Sequence, residues 1–373
     1  MNKNENFNSP GPKKRVLVAP LDWGLGHATR CIPIILKLIQ QNCEVVVAAE
    51  RAGKILLQQE FPQLNFIELK GYRMQYSRNR SWMPVSLLLQ FPKLISRIYA
   101  EKRWLKKAIA EHKIDAVISD NRLGLSHKKI PCVYITHQLL IKTGSRFTER
   151  IAQKIHYHFI NKYNGCWVPD AAGEINLSGE LSHPAVLPKV PVIYLGALSR
   201  FEKKDTGFKY DLCIVLSGPE PQRSVFEKLV MRDLKDIRGN TFLLRGLPGR
   251  SDTIEVNSAT LEIQDHLPAA ELNQVLLQSK MIICRGGYTT VMDLVRLQKK
   301  AILVPTPGQT EQEYLASYLQ QQHLFCTMEQ QDFSIPDALK RAAAFNFSEA
   351  SVSFNDHEKA IEHFVQHTLK KDQ

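Results

Sequence analysis

The hydrophobic and polar positions form a pattern in which short apolar runs alternate with longer amphipathic stretches. Arg15–Pro20 and Glu44–Ala49 are apolar and rich in β-branched residues, and an amphipathic stretch at 28–41 separates them. Short runs of this composition are typical of buried strands, whereas apolar spacings of three and four are typical of helices. Further buried strands are predicted at 116–118 and 132–135. Strands that alternate with helices predict βαβ units and a parallel sheet.

The same alternation starts again after a loop near residues 197–210. It predicts strands at 211–216, 241–244, 281–284 and 301–304 and a helix at 222–234. We therefore predict an α/β fold of two Rossmann-like domains whose parallel sheets face a central cleft. We predict a disordered leader at 1–13 and an N-terminal domain at 14–197. A C-terminal domain follows at 198–355, and a final helix at 356–373. The final helix has an apolar face, which we expect to pack back on the N-terminal domain.

Basic residues are concentrated in the N-terminal half of the chain. Residues 1–197 hold 28 Lys and Arg against 14 Asp and Glu, whereas residues 198–373 hold 21 against 23. The formal charges of the two halves are therefore +14 and −2. Such asymmetry indicates an anionic partner for the N-terminal half, which can be nucleic acid, a membrane surface or a phosphorylated substrate.

Composition excludes several classes of protein. At 44% hydrophobic and 23% charged residues the chain is globular, neither disordered nor fibrous. Its seven cysteines are scattered without a CxxC pair, which disfavours a disulfide framework or a zinc cluster and fits a reducing compartment. The polar N-terminus lacks the apolar run of a signal peptide. The longest apolar stretch, 82–95, is interrupted by Pro84 and Pro92, so we expect a chain that is soluble or at most peripheral to a membrane.

The segment after the first predicted strand carries candidate catalytic chemistry. Gly24 and Gly26 allow a tight turn and a close backbone approach to a ligand, and the next helix presents free N–H groups. Arg30 occupies the position of the third glycine of GxGxxG, which disfavours a dinucleotide site. His27 lies at the carboxyl end of a strand, where it suits a general base with a pKa near neutrality. The alternative is a histidine that only caps the helix or packs in the loop.

Two further segments place polar residues after predicted strands of the C-terminal half. In 284–293 (CRGGYTTVMD), Gly286 and Gly287 form a turn before a helix whose N–H groups suit a diphosphate. In 304–313 (VPTPGQTEQE), the polar side chains could bind hydroxyl groups. The alternatives are an ordinary turn in the first segment and helix capping in the second. Both segments lie where ligands bind in parallel sheets, at the carboxyl ends of strands.

The order of five motifs resembles the two-domain GT-B glycosyltransferases. The motifs are GxGHxxR at 24–30, GxLSR at 196–200, SGPEPQR at 217–223, CRGGYTTVMD at 284–293 and PxxxEQxxxA at 307–316. They cover nearly the whole chain in order, and those of the C-terminal half are the more specific. The sequence is most similar to the branch that contains the lipid-linked peptidoglycan N-acetylglucosaminyltransferase and the diacylglycerol glycosyltransferases.

The resemblance implies an inverting transfer of a hexose, with N-acetylglucosamine favoured, from a UDP-sugar held mainly by the C-terminal domain. Carried over by motif, Arg200 would approach the donor phosphates, and Ser217 with Gly218 would line the same pocket. Thr289 and Thr290 would bind the diphosphate. The Gly-rich phosphate loop of relatives is replaced here by a segment with two prolines, which leaves the geometry of 217–223 open.

The same resemblance assigns the nucleoside and the sugar. The backbone near His266 and Leu267 would face the base, and Asp293 would bind the ribose hydroxyls. Asp293 stands where many relatives carry the longer Glu. Glu311 and Gln312 would bind the donor sugar.

The resemblance places the acceptor chemistry in the N-terminal domain. His27 matches the histidine of the family's first loop and is the leading candidate for the base that deprotonates the acceptor hydroxyl. Asp120, after a predicted strand, is the second candidate, either as partner of His27 or as the base. Gly24, Gly26 and His137 are expected to line the acceptor side. The chain contains no Asp-x-Asp, so neither a metal site nor a cofactor is expected.

Residues 70–107 combine ten Lys and Arg with aromatic residues and leucines. This mixture suits a surface on anionic lipid, and the alternative is a solvated helix pair whose apolar residues face the core. We expect peripheral binding to the cytoplasmic face of the cell membrane and a lipid-linked acceptor.

Three other functions are left open by the sequence. A nucleotide-sugar epimerase uses a similar fold without an acceptor, and a non-catalytic protein could bind the sugar nucleotide alone. A nucleic-acid-binding protein would explain the charge, but no recognition motif is present, so nucleic acid is not expected as a partner.

Overall fold

The computed structural model describes residues 13–72, 83–218, 220–247 and 259–369. Within these residues the first sheet has seven parallel strands in the order β3-β2-β1-β4-β5-β6-β7. Strands such as β1 and β2 are buried along almost their whole length, which explains their continuous apolar sequences. The bounds are β1 (Arg15–Pro20), β2 (Glu44–Ala49), β3 (Asn65–Glu68), β4 (Ala116–Asp120), β5 (Cys132–Ile135), β6 (Gly165–Val168) and β7 (Val192–Tyr194).

The second sheet, over the same described ranges, has six parallel strands in the order β10-β9-β8-β11-β12-β13. Their bounds are β8 (Tyr210–Val215), β9 (Thr241–Leu244), β10 (Leu261–Gln264), β11 (Ser279–Cys284), β12 (Ala301–Leu303) and β13 (Cys326–Thr327). Both sheets carry helices between their strands. The predicted α/β fold of two Rossmann-like domains is confirmed.

Helices connect the strands in the manner of βαβ units. Four lie in the described N-terminal half: α1 (Leu25–Gln40), α2 (Arg51–Glu60), α3 (Met83–His112) and α4 (Arg146–Ile160). The C-terminal half and tail add α5 (Gln222–Leu234), α6 (Ala269–Leu277), α7 (Tyr288–Arg296), α8 (Thr310–Gln321), α9 (Ile335–Ala343) and α10 (Asp356–His363), followed by a π-helical turn at Phe364–Thr368.

Helix α1 begins three residues earlier than the sequence pattern predicts. Gly24 adopts a φ of 82°, a left-handed conformation that glycine reaches without steric cost, and the helix starts directly after it. Gly26 and His27 therefore lie in the first helical turn rather than in a loop. This fixes the His27 side chain on the helix face that looks toward β4.

The strand order reverses direction next to β1 in the first sheet and next to β8 in the second. In open parallel sheets, ligands bind outside the carboxyl ends of the strands at such switch points. The connection that leaves the carboxyl end of β1 carries His27 to one of them, where Asp120 is the last residue of β4. The connections that leave β8 and β11 carry Ser217 and Gly286 to the other.

The tail of the chain lies against the N-terminal domain. Lys37 of α1 forms ion pairs with Glu358 at 2.9 Å and Glu362 at 2.6 Å. Trp167 of β6 meets Phe364 edge-on, with ring centroids 5.5 Å apart. Contacts from α10 and the turn after it therefore tie the end of the chain to the first sheet.

Most of the segment 70–107 belongs to the single long helix α3, which contains Pro92. Tyr72, one of the aromatic residues of this segment, is buried, and its hydroxyl donates to Glu101 Oε2 at 2.8 Å. Residues 73–82 and the side chains of 83–89 lie outside the described residues. Searched over the described residues, no helix has the length and apolar character needed to cross a bilayer.

Candidate active site at the domain cleft

A histidine of helix α1 and the last residue of strand β4 meet at the switch point of the first sheet. His27 Nδ1 lies 3.2 Å from Asp120 Oδ2. Asp120 is fully buried, whereas 15% of the His27 side chain stays exposed. The histidine is therefore the member of the pair that an acceptor can reach.

Arg30, one helical turn after His27, forms an ion pair with Asp120. Arg30 Nε donates to Asp120 Oδ2 at 2.7 Å, and a second guanidinium nitrogen contacts Asp120 Oδ1. Burial alone would raise the pKa of Asp120, but Arg30 and His27 outweigh it and hold that pKa well below its usual range. Asp120 is thus a buried, permanently ionised carboxylate.

His27 is held in its neutral form by the same surroundings. Burial lowers the pKa of His27 below its usual range; the charge of Asp120 opposes this shift, and that of Arg30 adds to it. Arg30 Nη2 also lies 2.9 Å from His27 Nδ1, the nitrogen that faces Asp120. The opposite ring nitrogen, Nε2, is the one left for a substrate.

A second histidine continues the network across the cleft. His137, just after β5, has Nδ1 3.1 Å from Arg30 Nη1 and Nε2 2.7 Å from Glu311 Oε1. Because a guanidinium can only donate, His137 Nδ1 accepts and Nε2 donates its proton to Glu311. The ring stacks on Tyr288 of α7, with centroids 4.3 Å apart and planes at 9°. Charged and aromatic groups of both domains thus meet at one histidine.

The N-termini of α1 and α7 also touch. Thr289 Oγ1 donates to the carbonyl of Gly26 at 3.1 Å. A Cβ atom at position 26 would lie 3.0 Å from that hydroxyl oxygen, so glycine permits this close approach. The turn of Gly286 and Gly287 precedes the helix, and Thr290 lies in its first turn. The helix that carries His27 and the candidate phosphate-binding helix therefore face each other directly.

A third group lies beside the N-terminus of α7. Ser199 Oγ donates to Asp293 Oδ1 at 2.6 Å, and burial raises the pKa of Asp293 to about 6. Arg200 is mostly buried, with Nη1 3.7 Å from Glu60 of α2, and burial lowers its pKa. Burial and the charge of Arg200 also lower the pKa of His266. An arginine, a carboxyl group and an imidazole thus share one partly closed region.

Comparison with known proteins finds a family match in the C-terminal part of the chain. Residues 251–371 match the glycosyltransferase family 28 C-terminal domain. The chain is a glycosyltransferase. No curated protein matches the sequence at a significant level.

Solved structures of low sequence identity share the two-domain GT-B fold of this glycosyltransferase. The calicheamicin glycosyltransferase CalG4 has a TM-score of 0.61 at 12% identity, over 94% of this chain and 93% of that chain. The spinosyn rhamnosyltransferase SpnG has a TM-score of 0.60 at 15% identity, over 95% and 96%. MurG of Acinetobacter baumannii has a TM-score of 0.51 at 15% identity, over 97% and 96%.

The other residues assigned to the donor lie along the second sheet. Ser217 and Gly218 follow β8, and Leu267 follows β10, at the same carboxyl edge as the turn before α7. Gln312 lies in the first turn of α8, where its Oε1 accepts from the Thr306 backbone N–H at 2.9 Å. The Gln312 side chain is therefore engaged within its own loop in this glycosyltransferase.

Two residues that the sequence reasoning did not assign are central to the site. Arg30 joins Asp120, His27 and His137, and Tyr288 both stacks on His137 and donates to the Pro169 carbonyl at 2.8 Å. Arg30 is a charged residue among apolar neighbours, one turn from His27, and this pattern in the sequence could have indicated its role in the site. For Tyr288 no comparable signal exists, since a tyrosine at a helix start is ordinary.

We expect Arg30→Met to destabilise the transferase by about 3–5 kcal/mol, because the variant leaves Asp120 buried without its main partner. In an Asp120→Asn background, the same substitution should cost much less. Urea unfolding of the four proteins of this double-mutant cycle measures the coupling. Additive effects would show that the pair is not the stabilising contact.

As the pH rises from about 4 to about 6, we expect the unfolding free energy of the wild type to fall relative to that of Asp293→Asn. The unfolded Asp loses its proton near pH 4, whereas the folded Asp293 keeps it to about pH 6. The unfolded state therefore binds fewer protons in this window, and the loss should approach about 3 kcal/mol. The difference in unfolding free energy against pH checks this, since Asn keeps the acceptor for Ser199. Parallel curves would contradict the raised pKa.

Proposed function

We propose that this glycosyltransferase inverts the anomeric centre as it moves a hexose, with N-acetylglucosamine favoured, from a UDP-sugar to a hydroxyl of a lipid-linked or membrane-surface acceptor. The observation that carries the proposal is the contact between Gly26 and Thr289. It sets the helix that bears His27 against the helix end suited to a diphosphate. Inversion needs this opposition of base and leaving group.

In this proposal His27 is the base and Asp120 its orienting partner. For this role the neutral imidazole carries its proton on Nδ1 and donates it to Asp120, so Arg30 Nη2, a donor 2.9 Å from that nitrogen, has to turn away from it. Nε2 is then free to take the proton of the acceptor hydroxyl. The acceptor oxygen then attacks the anomeric carbon while the bond to the diphosphate breaks on the opposite face. The negative charge of Asp120 stabilises the imidazolium that forms. Asp120 is a poor base itself, because Arg30 already binds both of its oxygens.

The departing diphosphate is proposed to be stabilised without a metal. The N–H groups at the start of α7 and the guanidinium of Arg200 supply positive charge in its place. Over the described residues, no group of three or more His, Cys, Asp or Glu side chains is arranged to hold a metal ion. Of the similar structures, one of SpnG is complexed with thymidine diphosphate, which supports a nucleotide-linked donor for this chain as well.

Donor binding is proposed to replace contacts that now close the cleft. Thr289, assigned to the diphosphate, is bound to Gly26, and Glu311, assigned to the sugar, is bound to His137. A donor would take over these hydroxyl and carboxylate groups. The domains would then separate enough to admit the sugar between them.

The donor assignment predicts selective stabilisation by one nucleotide sugar. Because a ligand that binds only the folded state raises the unfolding temperature by mass action, the true donor should give the largest shift. A thermal-shift series with UDP, UDP-GlcNAc, UDP-Gal, UDP-Glc and GDP-Man makes the comparison. A largest shift with GDP-Man would contradict the uridine assignment, and release of a free epimerised sugar would instead indicate an epimerase.

The base assignment predicts that His27→Ala lowers kcat by about 10²- to 10⁴-fold, the usual contribution of general base catalysis. Binding of UDP, measured by thermal shift, should stay unchanged. His367→Ala is the matched control, because that histidine is exposed on the C-terminal tail. The assay is run in EDTA, where the wild type should keep its rate. Full activity of His27→Ala would remove His27 as the base, and a wild-type rate lost in EDTA would contradict metal independence.

A further inference from the structure

Helix α4 presents an exposed apolar row to its surroundings. Phe147, Ile151 and Ile155 recur at a spacing of four, with 72%, 44% and 37% of their surfaces exposed. Residues at this spacing lie above one another on a helix. Apolar side chains aligned in this way are an exposed patch rather than scattered surface residues.

A basic row runs beside the apolar row. Arg146, Arg150 and Lys154 are exposed and each precedes one of the apolar residues by a single position. Glu149, the acidic residue of α4, is only partly exposed and accepts from the Thr143 backbone N–H at 3.3 Å. The exposed surface of the helix is therefore positive as well as apolar. We call these six residues, 146, 147, 150, 151, 154 and 155, the α4 face.

The α4 face is not needed for packing inside the domain. The helix buries the opposite side through His156, Tyr157, Phe159 and Ile160. The patch also extends beyond the helix, because Tyr157 donates to the carbonyl of Val186 at 2.7 Å and thereby holds the neighbouring segment along α4. In that segment, the exposed apolar residues are Val186 at 64% and Leu187 at 47%.

We propose that the α4 face docks this glycosyltransferase on an anionic lipid bilayer. A helix with an apolar row and an adjacent Lys/Arg row suits the boundary between lipid headgroups and acyl chains. The charge of +14 on residues 1–197 favours the same partner. The inference rests on the proposed function, since a membrane-surface acceptor requires the enzyme to approach the bilayer.

The position of α4 relates the bilayer to the site. The segment from the end of β5 to the start of α4 carries His137, which belongs to the cleft network. Docking through α4 would therefore place the bilayer beside the helix into which the segment carrying His137 leads. The basic helix α3, which the sequence favoured for this role, buries Ile98, Glu101 and Leu105 and keeps Tyr99 exposed at 60%.

Vesicle sedimentation of the full chain tests the proposal, with phosphatidylglycerol-containing vesicles compared with pure phosphatidylcholine. We expect preferential binding of the wild type to the anionic vesicles. The variant R146Q/R150Q/K154Q should bind them about a hundredfold more weakly, and F147S/I151S about tenfold or more. Unfolding temperatures should change little, because all five side chains are exposed.

Matched controls separate this face from other surfaces. The variant K102Q/R103Q/K106Q removes the same number of charges from exposed positions of α3, and F208S/V225S removes exposed apolar residues from the C-terminal half. Both should bind anionic vesicles like the wild type. Loss of binding confined to the α3 variant would overturn the proposal.

Three further outcomes would also overturn it. The first is a wild type that does not bind anionic vesicles, and the second is α4 variants that bind as the wild type does. The third is a dimer in sedimentation velocity that the F147S/I151S substitutions dissociate, which would assign the face to a second copy of the chain. UDP-induced thermal shifts are measured on the same proteins. If UDP stabilises them while vesicles do not bind, docking alone is wrong; if UDP has no effect, the proposed donor chemistry fails independently.

Discussion

The buried ion pair between Arg30 and Asp120 is the interaction on which the site depends. Both side chains are almost fully removed from water, a costly arrangement unless the charges are paired and hydrogen-bonded. The pair joins α1 to the end of β4 across the switch point of the first sheet. It fixes the carboxylate beside His27 and leaves one guanidinium nitrogen for His137. The positions of both histidine rings therefore depend on this one contact.

The same contact extends to the second domain through His137. Its other nitrogen donates to Glu311, while Thr289 donates to Gly26 nearby. Two side chains that join the domains at the cleft, Thr289 and Glu311, are among those that the family resemblance assigns to the donor. Closure of the cleft and the proposed binding of the donor thus use the same hydrogen-bonding groups. A bound nucleotide sugar would therefore compete with the contacts that close the cleft.

On α4, charge and exposed apolar surface coincide at a place that the sequence did not indicate. In the segment 70–107, which the sequence favoured, Tyr72 is buried, whereas Tyr99 of α3 is exposed. On α4, apolar and basic residues are exposed side by side. Which face of an amphipathic helix is covered depends on what packs against it, and composition does not contain that information.

The sequence by itself determined the two-domain parallel fold, because strands buried on both faces need continuous apolar runs such as Arg15–Pro20, and these are visible without a structure. It also placed His27 and Asp120 at strand ends. Short strands with half-exposed sequences, such as Asn65–Glu68, gave no such signal. Only the tertiary structure decided that Arg30 neutralises Asp120 and that His137 reaches Glu311, 174 residues away. Such pairings, and the pKa shifts that follow, arise from burial and distance, which exist only once the sheets have packed together.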